Sequence, residues 1–90
     1  MSRKTNIAQE NVSKLASLGI AAMEYEAARR AALNELTSWR RARKDEDIEP
    51  SDVPAFEVRY ASAARSRKNA RERMLRMIAR YRDWLDEVNS

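Results

Sequence analysis

The spacing of the apolar residues constrains the fold of this chain most strongly. In the second half of the sequence, ten positions follow one another at alternating intervals of four and three residues: Phe56, Tyr60, Ala63, Arg67, Ala70, Met74, Met77, Tyr81, Trp84 and Val88. In the first half, eight positions do the same: Leu15, Leu18, Ala22, Tyr25, Arg29, Ala32, Leu36 and Trp39. Each stripe contains one polar residue, an arginine. Such heptad spacing is typical of α-helices that pack together, so the sequence predicts two long paired helices.

A ten-residue segment, DEDIEPSDVP, separates the two stripes. It contains five acidic residues and both prolines of the chain, which favour a turn over a continuing helix. We therefore expect one helix at about 6–44, an acidic loop at about 45–52 and a second helix at about 53–88. A loop this short joins antiparallel neighbours, so the predicted fold is an all-α antiparallel helical hairpin that forms one domain, 1–90.

The ends of the two predicted helices carry capping signals. Asn6 and Gln9 have the spacing of a capping box, which predicts the start of the first helix. Ser51 or Asp52 is the expected N-cap of the second helix. Pro54 then falls in the first helical turn, where proline is tolerated because the first N–H groups have no intrahelical partner.

The short loop also predicts which residues face each other. If residue 44 faces residue 53, the numbers of facing residues sum to about 97 along the hairpin. Arg29 and Arg67 then lie at nearly one level inside the seam, where an unpaired charge would lose its hydration at a large cost. Glu26 and Glu72 are intramolecular candidates for the missing anion, and a partner's carboxylate or a phosphate is the alternative. A third possibility is that the arginine stems pack on alanine while the guanidinium groups reach water.

A further set of apolar residues lies off the predicted seam. It consists of Ile20, Met23, Ala27, Leu75, Ile78 and Leu85. The predicted register puts Ile20 level with Ile78, near the open end of the hairpin. Two helices cannot bury both the seam and this set. We therefore expect a second layer, which would complete a four-helix bundle either as a homodimer or with a helical partner protein.

Positive charge is concentrated on the second helix. Eight of the nineteen residues at 64–82 are Arg or Lys and one is Glu, whereas the rest of the chain is net negative. A helical wheel puts five of these cations on an outward stripe: Arg65, Lys68, Arg73, Arg76 and Arg80. Glu72 is the only acidic residue nearby that could form ion pairs within the helix. The stripe therefore predicts an anionic partner, with a merely solvated face as the other possibility.

Nucleic acid is slightly favoured as that partner, because guanidinium groups bind phosphate oxygens in pairs and several such contacts give salt-sensitive binding. The sequence has no helix-turn-helix spacing and no aromatic stacking platform, so binding should not be sequence-specific. The alternative is a small regulatory, inhibitory or assembly protein that binds another protein through the same surfaces. Arg outnumbers Lys fourteen to four and Ala occurs fifteen times, a composition that we associate with bacterial or phage genes.

Missing residue types exclude most enzyme classes. The chain has no His, no Cys and one Gly, so the usual zinc sites, nucleophile pairs and glycine-rich phosphate loops cannot form. We expect no catalytic residue, no metal and no cofactor. One enzyme class stays open, in which Arg29, Arg67, Arg71 and Glu26 would clamp a dianionic substrate.

The sequence also gives an expectation for the location of the protein. The apolar run at 15–23 is too short to span a membrane. Glu10 interrupts the positive leader that a signal peptide would require. We therefore expect a cytoplasmic protein without a membrane partner.

Overall fold

Helices make up most of the chain. A computed structural model describes the backbone of residues 3–89 and the side chains of residues 9–87. Its elements are α1 at Arg3–Lys44, a 3₁₀ turn at Pro50–Asp52, α2 at Val53–Arg80 and α3 at Arg82–Asn89. No residue of the described backbone is in a β-strand. The prediction of an all-α protein is therefore confirmed, in agreement with a sequence rich in Ala, Leu, Arg and Glu.

The start of α1 differs from the prediction. The helix already includes Arg3, so Asn6 lies inside it and cannot be its N-cap. Residues 3–5 contain neither Pro nor Gly, so nothing in this stretch stops the helix before Asn6. The predicted capping box with Gln9 is therefore wrong as a helix start, and the side chain of Asn6 lies outside the described side chains.

The acidic segment forms a compact turn. The carbonyl of Asp45 accepts the N–H of Ile48 at 3.3 Å, and the carbonyl of Glu49 accepts the N–H of Asp52 at 2.9 Å. Asp52 occupies the N-cap position of α2 with an αR backbone, but its side chain makes no capping hydrogen bond, because the 3₁₀ turn runs directly into the helix. Pro54 lies in the first turn of α2, as predicted.

The second helix is interrupted once. The sequence predicts a continuous helix to residue 88, whereas α2 ends at Arg80 and Tyr81 departs from helical geometry with φ −107° and ψ 13°. The N–H of Tyr81 still donates to the carbonyl of Met77 at 3.1 Å, and the N–H of Leu85 donates to the carbonyl of Tyr81 at 2.9 Å. The interruption is a one-residue distortion, and α3 continues beyond it to Asn89.

α1 packs beside α2 and α3 with opposite chain direction. Near the loop, the rings of Trp39 and Tyr60 stack with centroids 5.6 Å apart. At the other end, Nε1 of Trp84 donates a hydrogen bond to Oδ1 of Asn11 at 2.7 Å. The residue numbers sum to 99 for Trp39 and Tyr60 and to 95 for Asn11 and Trp84. Both sums are close to the 97 expected from the length of the loop. The molecule is accordingly long and thin, with extents of 68 × 20 × 17 Å.

The core between the helices is small. Among the described residues, the buried side chains are alanines: Ala21, Ala32, Ala42 and Ala70. The aromatic and methionine side chains of the seam are half-buried. The contact between the helices is therefore narrow, and the larger seam side chains keep part of their surface in water.

The seam of α2 is the predicted one, whereas the seam of α1 is partly displaced. Every predicted α2 seam residue from Phe56 to Trp84 is half-buried or buried, and the side chain of Val88 lies outside the described side chains. On α1, Leu15 and Ala22 are exposed. The α1 seam consists of ten half-buried or buried residues: Asn11, Lys14, Leu18, Ala21, Tyr25, Ala28, Ala32, Glu35, Trp39 and Ala42. This row keeps the predicted alternation of three and four residues. Every second member differs from the prediction: Lys14, Ala21, Ala28 and Glu35 take the places of Leu15, Ala22, Arg29 and Leu36, each of which lies one residue later.

Candidate functional site

The structure gathers three cations of the predicted stripe. Arg73, Arg76 and Arg80 follow one another at intervals of three and four residues, which places them on one side of α2. All three side chains are exposed, and with the half-buried Met77 they line a surface concavity of about 390 Å³. We call these three arginines the basic cluster.

The other two predicted stripe residues lie outside this concavity. Arg65 is eleven residues before Arg76 and therefore lies on the same side of the helix, about 16 Å further along its axis. Lys68 lies about 80° around the helix from Arg76. The predicted stripe is therefore a row from Arg65 through the basic cluster, with Lys68 displaced towards another side.

The cations of α2 have few carboxylate partners. Nη2 of Arg73 lies 3.8 Å from Oε2 of Glu24 on α1, a long and exposed ion pair that contributes little. The guanidinium of Arg80 lies over the ring of Tyr81, 5.7 Å from its centroid. Arg76 forms no ion pair with any described residue, and neither does Glu72, the predicted helical partner. The basic cluster therefore carries positive charge that the described part of the chain does not neutralise.

The predicted polar layer has an intramolecular anion on α1. Nε and Nη2 of Arg29 donate to the two carboxylate oxygens of Glu26, both at 2.9 Å. Nε of Arg30 donates to the same carboxylate at 3.1 Å. Hydrogen bonds from Arg29 and Arg30 lower the pKa of Glu26 to about 2, and the Glu26 carboxylate raises the pKa of Arg29. Glu26 is thus the anion that Arg29 requires.

Arg67 is in a different situation. It is half-buried in the α2 seam, in the same row as Ala63 and Ala70. It forms no ion pair with any residue that the structure describes. This arrangement agrees with an arginine whose stem packs in the seam while its guanidinium reaches water. The level of Arg29 and Arg67 therefore contains one arginine with an internal carboxylate partner and one without an ion pair among the described residues.

The predicted interface residues do not form one surface. The Glu24–Arg73 ion pair marks one side of the helix pair. Measured as a rotation about the α1 axis, Ile20 lies about 40° from Glu24 and so on nearly the same side as Glu24. Measured about the α2 axis, Ile78 lies about 140° from Arg73 and so on nearly the opposite side from Arg73. The two isoleucines are therefore level, as predicted, but they emerge on opposite sides of the helix pair. Both are exposed, with 57% and 38% of their surface accessible.

The remaining predicted interface residues are also divided between an α1 surface and a surface of α2 and α3. Met23 and Ala27 line a concavity of about 490 Å³ on the outside of α1, whose other lining residues also belong to α1. Leu75 is exposed on α2, and Leu85 is half-buried on α3. The structure thus separates the α1 members of the predicted interface from the α2 and α3 members.

Sequence reasoning missed a second row of heptad positions. These residues each follow a seam residue by one position, and we call them the second row. On α1 the second row is Val12, Leu15, Gly19, Ala22, Glu26, Arg29, Leu33, Leu36, Arg40 and Arg43. On α2 and α3 it is Glu57, Ala61, Ala64, Lys68, Arg71, Leu75, Ile78, Arg82 and Leu85. The signal that could have revealed it is an apolar pattern that keeps the seam's spacing at an offset of one residue.

The second row contains more than half of the exposed large apolar side chains of the described residues. Eight large apolar side chains are exposed among the described residues. Five of them belong to the second row: Val12, Leu15, Leu33, Leu75 and Ile78. Because this concentration follows the heptad spacing on both halves of the helix pair, the second row is a candidate contact surface for a further helix.

The described part of the chain has neither a candidate metal site nor a membrane-spanning helix. Within the described residues, no group of three or more acidic side chains is arranged so that it could hold a metal ion. In the same part of the chain, no helix is both long and apolar enough to cross a membrane. Comparison of the chain with protein-family models, curated proteins and solved structures finds no match in any of the three.

Proposed function

We propose that this chain is a small, non-enzymatic helical interaction protein that binds the phosphate backbone of nucleic acid without sequence specificity. The observation that carries this proposal is the basic cluster. Its three arginines share one side of α2, and within the described residues only Arg73 has a carboxylate closer than 4 Å, at 3.8 Å. Exposed guanidinium groups with so few carboxylate partners are available for charge-assisted hydrogen bonds to phosphate oxygens.

The dimensions of the cationic row suit a nucleic-acid backbone. Arg73 and Arg80 are about 10 Å apart along the helix axis, and Arg65 extends the row to about 22 Å. One strand of duplex DNA presents a phosphate about every 3.4 Å along its axis, so the row could follow several successive phosphates. No exposed aromatic platform accompanies the described arginines: Tyr60, Tyr81 and Trp84 are half-buried in the seam. Binding should therefore depend on the backbone rather than on base identity.

A larger helical assembly belongs to the same proposal. The accessible surface of 7280 Å² exceeds the roughly 5400 Å² typical of a monomer of 10.4 kDa. The excess, about 1900 Å², is more than twice the roughly 800 Å² that each partner buries in a standard protein interface. We propose that the antiparallel helical hairpin completes a four-helix bundle, as a homodimer or with a helical partner. We place this assembly in the cytoplasm of a bacterial or phage-infected cell, where nucleic acid is accessible.

The alternative function is a regulatory, inhibitory or assembly protein that binds another protein. The exposed apolar side chains of the second row favour it, because contiguous apolar surface is typical of protein contacts. Arginines can also anchor protein interfaces, so the basic cluster is compatible with an acidic protein. The two functions differ in whether the basic cluster binds nucleic acid at low salt.

The test measures binding of the full chain to a fluorescein-labelled DNA duplex of mixed sequence by fluorescence anisotropy, from about 20 to about 200 mM salt. We expect affinity to fall steeply with salt. Each lost phosphate contact should reduce the slope of log K against log salt by about 0.9, so Arg76→Ala with Arg80→Ala should reduce it by about 2.

The matched control is Arg41→Ala with Lys44→Ala, which removes the same charge from exposed positions at the loop end of α1. It should leave the slope nearly unchanged. Absence of binding at low salt, or an equal loss in both double variants, would remove the nucleic-acid proposal. The protein-binding alternative would then remain.

A further inference from the structure

The second rows of the two halves border one continuous groove. Glu24 and Arg73, which form an ion pair, each precede a seam residue by one position and so mark one side of the helix pair. In an antiparallel helix pair, the residues that precede the seam residues on both helices lie on one side of the pair. The residues that follow the seam residues on both helices lie together on the other side. The second rows of α1 and of α2 with α3 therefore face the same groove, away from the Glu24–Arg73 side.

The groove is apolar towards both of its ends. At the open end of the hairpin, α1 contributes Val12 and Leu15, and α2 contributes Leu75 and Ile78. All four are exposed, at 66%, 56%, 43% and 38% of their surface. The second apolar part lies nearer the loop, where Leu33 is 43% exposed. A helix lying in this groove would cover both parts by the packing that already joins α1 to α2.

The middle of the groove is cationic. Glu26 and Arg29 neutralise each other there through two hydrogen bonds of 2.9 Å. Lys68 and Arg71, on the opposite wall, form no ion pair with a described residue. Arg82, between the apolar residues at the open end, also has no ion pair within the described residues. An occupant that covers the groove must therefore supply carboxylates, above all near its middle.

A second copy of this chain does not meet that requirement. Lys68 and Arg71 lie near the midpoint of the groove, between its two apolar parts. A two-fold pairing that covers the whole groove brings the middle of one copy onto the middle of the other. If α2 lies on α2 of the second copy, Lys68 and Arg71 approach the same two residues. If α2 instead lies on α1 of the second copy, they meet the Glu26 carboxylate, which Arg29 and Arg30 already bind. In both pairings an excess of positive charge would be desolvated. The charge pattern favours a different chain as the occupant.

We propose that the groove binds an amphipathic helix of another protein, apolar towards both ends and acidic in its middle. The span from Val12 to Leu36 is about 36 Å, which corresponds to a helix of about 24 residues. The excess accessible surface of about 1900 Å² is enough for such a contact. This inference does not rest on nucleic-acid binding, because the basic cluster lies on the Arg73 side and the groove lies on the other.

The experiment uses the full chain and two designed helical peptides of about 24 residues. Both have leucines at the heptad contact positions of their first and last thirds. In the middle third, one peptide has glutamates at these positions and the other has lysines. Fluorescence anisotropy should show that the glutamate peptide binds at least tenfold more tightly. Equal affinities, or no binding of the glutamate peptide, would overturn the proposal.

Variants of the chain locate the bound peptide. Arg71→Glu should remove most of the preference for the glutamate peptide, because the charges of the groove's middle then sum to about zero, and Ile78→Glu should abolish binding of both peptides. Ile20→Glu is the matched control, because it adds the same charge at the same level on the opposite side, and it should leave both affinities unchanged. Circular dichroism confirms that each variant keeps its helix content, and Arg71→Glu tests the groove even if Ile78→Glu does not fold. If Arg71→Glu leaves the preference unchanged, the proposed contact is wrong.

Oligomeric state provides an independent outcome. Sedimentation of the full chain alone should show that Ile78→Glu does not change its mass. A dimer that Ile78→Glu converts to a monomer would mean that a second copy occupies the groove, which overturns the proposal. DNA binding is measured on the same samples, and Arg71→Glu should weaken it far less than the double substitution in the basic cluster. Failure of the groove proposal can therefore be distinguished from failure of the nucleic-acid proposal.

Discussion

A hydrogen bond between Trp84 and Asn11 ties α3 to α1 at the open end of the helix pair. Nε1 of Trp84 donates to Oδ1 of Asn11 at 2.7 Å. The ammonium of Lys14 lies 5.3 Å from the Trp84 ring centroid, and the Tyr81 ring approaches edge-on at 6.5 Å. Because α3 is only eight residues long, its helical structure should depend strongly on these contacts.

The expected loss of stability follows from the separate contacts. The hydrogen bond contributes about 1 kcal/mol, the cation–π contact about 0.5 kcal/mol at this partly exposed site, and the edge-on aromatic contact about 1 kcal/mol. Trp84→Phe keeps an aromatic ring but loses the hydrogen bond, so we expect it to cost about 1 to 2 kcal/mol. Trp84→Ala also loses half-buried apolar area and should cost about 3 kcal/mol. For a chain of this size, 1 kcal/mol lowers the Tm by about 4 to 8 °C.

The assay is a double-mutant cycle with Asn11→Ala and Trp84→Phe, measured by urea unfolding. We expect a coupling of about 1 kcal/mol, because each single variant removes the same hydrogen bond. Asn34→Ala with Trp84→Phe is the control cycle, since Asn34 is exposed on α1 far from this contact, and it should be additive. A coupling below about 0.3 kcal/mol between Asn11 and Trp84, with unchanged amide exchange in α3, would refute the reasoning.

Two further predictions concern the seam and the polar layer. Ala70 is 2% exposed, so Ala70→Leu should overpack the seam and cost about 1 to 3 kcal/mol in urea unfolding, whereas Ala61→Leu at an exposed position should have little effect. A similar cost for both variants would contradict the narrow seam. The pKa of Glu26 is about 2 in the folded chain against 4.5 ordinarily, so its stabilisation is complete above about pH 4.5 and is lost as the pH falls towards 2. Arg29→Gln should raise this pKa towards 4.5 in an NMR titration, and an unchanged pKa would exclude the guanidinium as its main cause.

The sequence predicted the α2 seam better than the α1 seam for a physical reason. On α2, the row offset by one residue contains Lys68, Arg71 and Arg82, so only one row can be buried. On α1, the observed seam and the second row both contain apolar residues. A helix that buries the row of Ala21 and a helix that buries the row of Leu15 both satisfy the periodicity. The choice depends on contacts that join distant parts of the chain, as in the hydrogen bond from Trp84 to Asn11. Periodicity alone does not contain that information.

The candidate surfaces could be predicted only in part for a related reason. The loop length gives the level of each residue, and Ile20 is indeed level with Ile78. The side on which each residue emerges depends on how the helices are rotated about their axes, which the Glu24–Arg73 ion pair reveals. The basic cluster needed less of this information, because intervals of three and four residues place Arg73, Arg76 and Arg80 together on any α-helix.

A layer of two helices has two broad faces, and this chain gives them different chemistry. On the Glu24–Arg73 side, the exposed guanidinium groups remain hydrated and would lose little on meeting phosphates, which also stay partly in water. On the other side, Leu15, Leu75 and Ile78 gain from losing contact with water, so that face suits a packed helix. Because the two faces point in opposite directions, occupation of one leaves the other accessible. The proposed functions are therefore compatible, and the chain could link a helical protein to nucleic acid.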